Sequence, residues 1–137
     1  MKLSARNQFP GKVVKVDEGA VNGIVTLDVN GENVTGTITL NAIRDLDLKP
    51  GVEATAIIKA TEVMIGFGPF RMSARNQFPG RITEVEEGAV NGVVKMEVLG
   101  GNRLSATITM ASIRELGLKP GVEATAVVKA TSVMFAR

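Results

Sequence analysis

The chain contains two near-copies of one segment, offset by about 69 residues. Three motifs recur in the same order: SARNQFPG at 4–11 and 73–80, EGAVNG at 18–23 and 87–92, and KPGVEATA at 49–56 and 119–126. A repeat of this length is too long for a solenoid unit and is typical of a small domain. The duplication therefore predicts two tandem domains, residues 1–66 and 71–137, and a counterpart in one domain for any site in the other.

Each predicted domain is too small to be stabilised by its own core alone. A unit of this size buries only about 60% of the surface that its unfolded chain exposes. The chain has no cysteine for disulfides, and no histidine or cysteine to hold a structural metal. Packing between the domains and oligomerisation are the other means of reinforcing so small a core. We therefore expect a homo-oligomer.

The amino-terminal residues and the apolar stretches predict a cytoplasmic protein that crosses no membrane. Met1, Lys2 and Leu3 lead directly into polar residues, without the apolar segment of a secretory signal. The longest apolar stretches are far shorter than the about 18 residues that a membrane span needs. The lack of cysteine agrees with this expectation.

The local pattern predicts short strands, tight turns and one short helix in each repeat. Apolar residues alternate with polar ones over 25–29, and the Asn30-Gly31 pair that follows is a strong hairpin signal. Thr39 and Thr109 fit the N-caps of helices, and Gly117 fits a C-cap. Residues 49–51 (KPG) fit a type II turn. Strands are predicted at 11–16, 25–29, 34–38 and 52–58. About five strands and one helix per repeat predict an all-β fold with one short helix per repeat, arranged as two tandem OB-like β-barrel domains.

Composition disfavours two classes of function. The chain has no histidine to act as a general base and no cysteine nucleophile, so we do not expect an enzyme. An OB-type tandem that binds nucleic acid needs exposed aromatic side chains and a basic groove. This chain has no Tyr or Trp and a net charge of only +2, and Phe9 and Phe78 each precede a proline, as core residues do. Nucleic-acid binding is kept as the alternative hypothesis.

Two short segments suggest an anion-binding site. Residues 4–8 (SARNQ) offer a hydroxyl, a guanidinium and two amides, and residues 59–61 (KAT) offer an ammonium, a hydroxyl and backbone N–H groups. Neither segment contains a carboxylate, which would repel an anion. A deprotonated tetrahedral oxyanion needs only such donors around it. The same residues fit a second interpretation, in which they cap the start of a strand and Lys59 is a solvated edge residue.

Five short motifs follow one another in the same order in both repeats: SARNQ, GxVNG, TIT, IRxLxLKPG and KATxV. This ordered series resembles the molybdate-binding domain of the molbindins. Two such domains, without a helix-turn-helix or a P-loop, are similar to the di-domain molbindins, which are cytoplasmic proteins that bind and buffer molybdate. The resemblance implies binding of molybdate or tungstate at inter-domain and inter-subunit interfaces for intracellular molybdenum storage. It implies no catalysis, no covalent cofactor and no residue that ligates the metal directly.

The resemblance also implies which residues bind the oxyanion. They are Ser4, Arg6, Thr39, Lys59, Ala60 and Thr61 in the first repeat, and Ser73, Arg75, Thr109, Lys129, Ala130 and Thr131 in the second. In the family the two donor segments come from different domains, so the pocket forms at an interface, and a trimer of di-domain chains would form a pseudo-hexamer. A second class of site is expected near a symmetry axis, at Gly19, Ala20, Val21 and Asn22 and at Gly88, Ala89, Val90 and Asn91.

One difference between the repeats bears on this site. Thr61 is followed by Glu62, whereas Thr131 is followed by Ser132. If Glu62 faced the anion, sites built from the first repeat would be weaker. Alternation along a strand predicts that the carboxylate points away from it.

Overall fold

The computed structural model describes residues 2–137, so residue 1, where the first predicted domain begins, lies outside it. The first repeat comprises β1 (Asn7–Glu18), β2 (Asn22–Val29), β3 (Glu32–Thr39), α1 (Leu40–Asp45), β4 (Glu53–Ile58) and β5 (Met64–Gly66). The second repeat comprises β6 (Asn76–Glu86), β7 (Asn91–Val98), β8 (Asn102–Thr109), α2 (Met110–Leu116), β9 (Glu123–Val128) and β10 (Val133–Ala136). Two 3-10 turns follow β4 and β9, at Ala60–Glu62 and Ala130–Ser132.

The predicted turns and helix caps are confirmed. Asn30 and Gly31 have φ angles of 52° and 89°, which is the left-handed backbone that a tight hairpin between β2 and β3 requires. The Thr39 hydroxyl accepts a hydrogen bond from the N–H of Ala42 and caps α1. Gly117 ends α2 with a φ of 64°. Each of these features depends on residues close together in the chain, so the local sequence was sufficient to predict it.

β1 is longer than its predicted range of 11–16, because it begins at Asn7 and continues through Pro10. Over residues 7–11 this strand pairs with β4 alone, since its pairing with β2 begins at Lys12. Residues 7–11 therefore have a paired strand on one side only. On the unpaired side, the lack of an N–H in Pro10 costs no ladder hydrogen bond.

The last strand of each repeat belongs to the sheet of the other repeat. The two five-stranded sheets have the orders β10-β4-β1-β2-β3 and β5-β9-β6-β7-β8. Both sheets are antiparallel and curled, and the predicted fold class, two OB-like barrels with one short helix each, is confirmed. The boundaries of the sequence repeats differ from those of the sheets, because each sheet is completed by a strand from outside its own repeat.

The two helices are short, and each packs on strands of its own repeat. The two α-helices within residues 2–137 have six and seven residues. Neither has the length or the continuous apolar surface that a membrane-spanning helix requires. Each buries an apolar pair against the adjoining sheet, Leu40 with Ile43 in α1 and Met110 with Ile113 in α2.

Side-chain volume distinguishes the two exchanged strands. In the first sheet, a Cβ atom added to Gly36 on β3 would lie 2.8 Å from Cζ of Phe135 on β10 and would collide with its Cε2. At the corresponding positions of the second sheet stand Ala106 on β8 and Ile65 on β5. The large Phe135 ring thus packs against a glycine in the first sheet. In the second sheet the smaller Ile65 is combined with an alanine. This difference favours β10 in the first sheet and β5 in the second.

We predict that Gly36→Ala lowers the free energy of unfolding by about 1–3 kcal/mol, because the added methyl overpacks the junction of β3 with β10. The measurement is urea denaturation followed by circular dichroism. Phe135→Ile in the same chain should recover most of the loss, since it recreates the Ala–Ile combination of the second sheet. Equal losses from Gly36→Ala with and without Phe135→Ile would contradict this account.

Candidate anion-binding site

Strand pairing brings the two predicted donor segments together. β1 begins where β4 ends, with Asn7 opposite Ile58 in the antiparallel ladder. Residues 4–6, which precede β1, therefore lie beside residues 59–61, which follow β4. The second repeat repeats the arrangement, with Asn76 opposite Val128. Segments that are distant in sequence thus become neighbours at one end of each sheet.

Each pair of segments lines a cavity. The first cavity, of about 500 Å³, is lined by Leu3, Ser4, Ala5, Arg6, Ile57, Lys59, Ala60, Thr61, Met134 and Phe135. The second cavity, of about 360 Å³, is lined by Met64, Met72, Ser73, Ala74, Arg75, Lys129, Ala130 and Thr131. Among the described residues, no Asp or Glu lines either cavity. Both are therefore surrounded by donors and apolar groups without an acceptor-only side chain.

Within one chain, the donors of each cavity have a common origin. The resemblance predicts a pocket shared between domains in the oligomer, and within the single chain the serine, arginine and KAT segment of each cavity belong to one repeat. The reason is the direct pairing of β1 with β4 and of β6 with β9. The other repeat contributes apolar residues through its exchanged strand: Met134 and Phe135 at the first cavity, and Met64 at the second.

The charged donors of the cavities are not engaged elsewhere. Within residues 2–137, the ion pairs with side-chain nitrogens and oxygens within 4.0 Å include none made by Arg6, Arg75, Lys59 or Lys129. The serine, arginine, lysine and threonine side chains are all exposed. The N–H groups of Ala60 and Thr61 lie ahead of the first hydrogen bond of their turn, which runs from Glu62 N to Lys59 O at 2.9 Å. These groups are therefore available to an anion.

Arg6 also lies near the sheet of the second repeat. The pKa of Lys95 on β7 is raised, mainly because Glu84 accepts a hydrogen bond from its ammonium at 2.9 Å and Glu86 adds a further negative charge. Arg6 acts in the opposite direction on the same pKa, which is the effect of a nearby positive charge. Lys95 is thus occupied by carboxylates and adds no free donor to the first cavity.

The amides of the SARNQ motif do not face the cavities. Asn76 is 2% exposed, and its side chain donates to Thr35 O and accepts from Thr35 N–H, both at 2.8 Å. Asn7 is 1% exposed and makes the same two bonds with Ser105, at 2.8 and 2.7 Å. Each asparagine thus clamps the start of one repeat to a strand of the other. The prediction that these amides are free donors is wrong, because both are committed to backbone groups.

The glutamines of the motif hold the preceding chain. The Gln8 amide donates to Ala5 O at 3.0 Å, and the Gln77 side chain accepts from Phe70 N–H at 3.3 Å and donates to Phe70 O at 3.1 Å. Like the asparagines, the glutamines hold the backbone in place, a role that could not be recognised from the sequence. The asparagine and glutamine follow the arginine in both motifs, which is the sequence signal that they have a role. Whether these amides bind an anion or hold the backbone depends on the fold.

The predicted threonines Thr39 and Thr109 do not line either cavity. Each ends a strand at the opposite end of its sheet, where Thr39 pairs with Asn22 and Thr109 with Asn91. Both hydroxyls cap helices. The structure therefore places these threonines beside the segments predicted for the second class of site.

Those segments form exposed loops between paired strands. The N–H of Leu40, next to Thr39, donates to Val21 O at 2.9 Å, and Met110 N–H donates to Val90 O at 2.8 Å. Val21 and Val90 are each 72% exposed. Within one chain the two loops present these valine side chains to solvent.

Glu62 lies in a 3-10 turn, not on a strand, so the alternation argument used for it does not apply. Its carboxylate is nevertheless absent from the lining of the first cavity. It accepts a hydrogen bond from the Ser132 hydroxyl at 3.2 Å. The carboxylate is therefore directed toward the equivalent turn of the other repeat.

Two larger cavities lie elsewhere on the sheets, with volumes of about 930 and 610 Å³. Their linings include Asp28 and Glu53 in one and Glu97 and Glu123 in the other. Carboxylates at these positions oppose the binding of an anion. By volume alone, these two cavities would be the first candidates for the anion-binding site. Their carboxylates make them poorer candidates than the two donor-lined cavities.

The TOBE domain profile matches the chain twice, over residues 3–65 and 72–135. The chain is 42% identical to the molybdenum transport protein ModE of Herbaspirillum seropedicae, over 99% of this chain and 52% of that protein. It is 39% identical to the molybdenum-pterin-binding protein MopA of Rhodobacter capsulatus, again over 99% and 52%. The chain thus spans about half the length of these curated relatives.

Shorter proteins and a solved structure are also similar. A probable molybdenum-pterin-binding protein of Haemophilus influenzae is 55% identical over 67 residues, which cover 97% of that protein and 48% of this chain. The crystal structure of the cytoplasmic molybdate-binding protein ModG, with molybdate bound, superposes with a TM-score of 0.96. The two chains are 40% identical, and 99% of each is covered. The similarity therefore includes the whole two-repeat arrangement.

We predict that Asn76→Ala lowers the free energy of unfolding by about 2 kcal/mol, because it leaves the N–H and carbonyl of Thr35 without partners in a buried setting. Chemical denaturation of the full chain measures the effect. Asn33→Ala, at an exposed position of the same strand β3, is the matched control and should change stability by less than about 0.5 kcal/mol. Similar values for the two variants would show that the clamp contributes nothing.

Proposed function

Because the chain belongs to the TOBE-domain family and carries two copies of that domain, we propose that it binds molybdate in its two donor-lined cavities. One observation carries the proposal: each cavity gathers a serine, an arginine, a lysine and a threonine without a carboxylate. The molybdate that the similar ModG structure holds supports the choice of ligand. Ser4, Arg6 and residues 59–61 act in the first cavity, and Ser73, Arg75 and residues 129–131 in the second.

The chemistry of the donors suits a tetrahedral dianion. Molybdate is fully deprotonated near neutral pH, so its oxygens accept hydrogen bonds and donate none. Arginine can bond two of these oxygens at once, and lysine supplies a compact charge. Five or six charge-assisted bonds of about 1.5–3 kcal/mol each would hold the anion at about micromolar level or tighter after desolvation. Tungstate has the same charge and shape and should bind as well, whereas sulfate has shorter bonds and should fit a rigid cage less well.

Each cavity is open on one side, and a neighbouring chain would close it. Exposed apolar side chains border both cavities, Leu3 and Met134 at the first and Met64 and Met72 at the second. Such a rim favours contact with another protein surface. Thr39 and Thr109 cannot line a cavity of their own chain, so their hydroxyls would complete the site of a neighbour. A trimer of two-domain chains, forming a pseudo-hexamer, provides these contacts.

The second class of site follows from the same assembly. The loops at 19–22 and 88–91 present small residues, backbone donors and a highly exposed valine. Copies of such loops that converge on a symmetry axis would cover Val21 and Val90 and enclose a small anion among main-chain N–H groups. These loops are proposed as additional oxyanion sites in the oligomer.

The role that fits this chemistry is passive binding, for intracellular molybdenum storage and homeostasis in the cytoplasm. The described residues include no pair of catalytic groups near either cavity, and the donors hold the ligand without a reaction. The nucleic-acid alternative loses its repeated aromatic candidates, because Phe9 and Phe78 are buried in the core and cannot stack on bases.

We predict that Arg75→Ala weakens molybdate binding at the second cavity by at least about tenfold, because two charge-assisted bonds are lost. Titration calorimetry measures affinity and stoichiometry, and light scattering checks that the oligomer is intact. Arg114→Ala, at an exposed position in the last turn of α2, is the matched control and should bind like the unchanged protein. Unchanged stoichiometry and affinity in Arg75→Ala would refute the assignment.

A second prediction tests closure by a neighbouring chain. The double variant Thr39→Asp, Thr109→Asp keeps both helix caps, since aspartate is a good N-cap, but adds a carboxylate to each closed site. We expect molybdate affinity to fall more than about tenfold with little change in helix content by circular dichroism. Thr39→Ser with Thr109→Ser retains the hydroxyls and should bind normally. Normal binding by the aspartate variant would place these threonines outside the sites.

A further inference from the structure

The two 3-10 turns that carry the KAT segments are linked by a hydrogen bond between residues that differ between the repeats. Glu62 and Ser132 occupy the same position of the motif, and the Ser132 hydroxyl donates to Glu62 Oε2 at 3.2 Å. The first turn packs against β8 and the second against β3. The ends of the two turns are therefore adjacent, although they are 70 residues apart in sequence.

Glu62 is close in sequence to the cation of the first cavity. Its N–H donates to Lys59 O at 2.9 Å, which closes the turn. Lys59 is the N-cap of this turn and Glu62 is its last residue, so the carboxylate is tethered three residues from the ammonium. Within residues 2–137, however, no ion pair joins them. The carboxylate is bonded to Ser132 instead.

From this geometry we infer that Ser132 is a positioning residue for the first cavity. Its hydroxyl holds the Glu62 carboxylate away from Lys59, so that the ammonium stays available to the oxyanion. Without this hydrogen bond, the carboxylate would compete with the bound dianion as a tethered anion and would also repel it. The inference rests on the proposed function, since it concerns affinity at the same cavity.

The second cavity has no equivalent competitor. The residue three positions after Lys129 is Ser132 itself, which carries no charge. The Glu62–Ser132 pair therefore affects the two cavities unequally, and one side chain of the second repeat sets the affinity of the cavity in the first. This asymmetry allows the effect to be assigned to one site.

The test uses the full chain in an Arg75→Ala background, which weakens the second cavity by at least about tenfold, so that the first cavity is the tighter site in the titration. Ser132→Ala should weaken molybdate binding about three- to fivefold, the range expected when an exposed ion pair competes for Lys59. Ser132→Thr retains the hydroxyl and should bind like the parent. Glu62→Gln should bind at least as tightly as the parent, and adding Ser132→Ala to it should have no further effect.

These outcomes separate positioning from a structural role. If Ser132→Ala weakens binding equally in the parent and in the Glu62→Gln variant, or if Ser132→Thr fails to restore it, the hydroxyl acts on the fold and the inference is wrong. Unchanged affinity in Ser132→Ala also overturns it. The proposed function fails separately, and the inference with it, if the protein without substitutions binds no molybdate in the same calorimeter.

Discussion

The antiparallel pairing of β1 with β4, and of β6 with β9, is the interaction on which the candidate site depends. It places Asn7 opposite Ile58 and Asn76 opposite Val128, so the chain that enters one strand lies beside the chain that leaves the other. No donor residue needs a special conformation for this to occur. A backbone ladder, whose hydrogen bonds are independent of side-chain identity, converts two distant motifs into one donor-lined cavity in each repeat.

The exchange of the last strands joins the two repeats into one unit. Each sheet needs a strand of the other repeat, and each buried asparagine clamp crosses between repeats as well. Two small domains that would be marginal alone thereby share their stabilising contacts. The exchange also shapes the cavities, because Met64 and Met134 lie on the exchanged strands and line the two cavities. Stability and site geometry thus have a common origin in this connection.

Much of the fold was predictable from residues near one another in the chain. The hairpin at Asn30 and Gly31, the Thr39 and Thr109 caps and the all-β class are confirmed, and the family relationship inferred from the ordered motifs is confirmed by the two TOBE-domain matches. The clamps were not predictable, since an asparagine beside an arginine serves equally well as a donor to a ligand or to a backbone. The prediction of a strand at Glu62 is wrong because the 3-10 turn that contains this residue has no distinctive sequence pattern.

By itself the sequence determined the duplication, the local turns and caps, and the chemical character of the SAR and KAT segments, because these depend on residue type and short-range spacing. Only the tertiary structure decided which sheet receives each terminal strand, which side chains face the cavities, and where Thr39 and Thr109 lie relative to them. The physical reason is that period-two alternation specifies the two faces of a strand but not its neighbour. Neighbours are selected by long-range packing, such as the fit of Phe135 against Gly36.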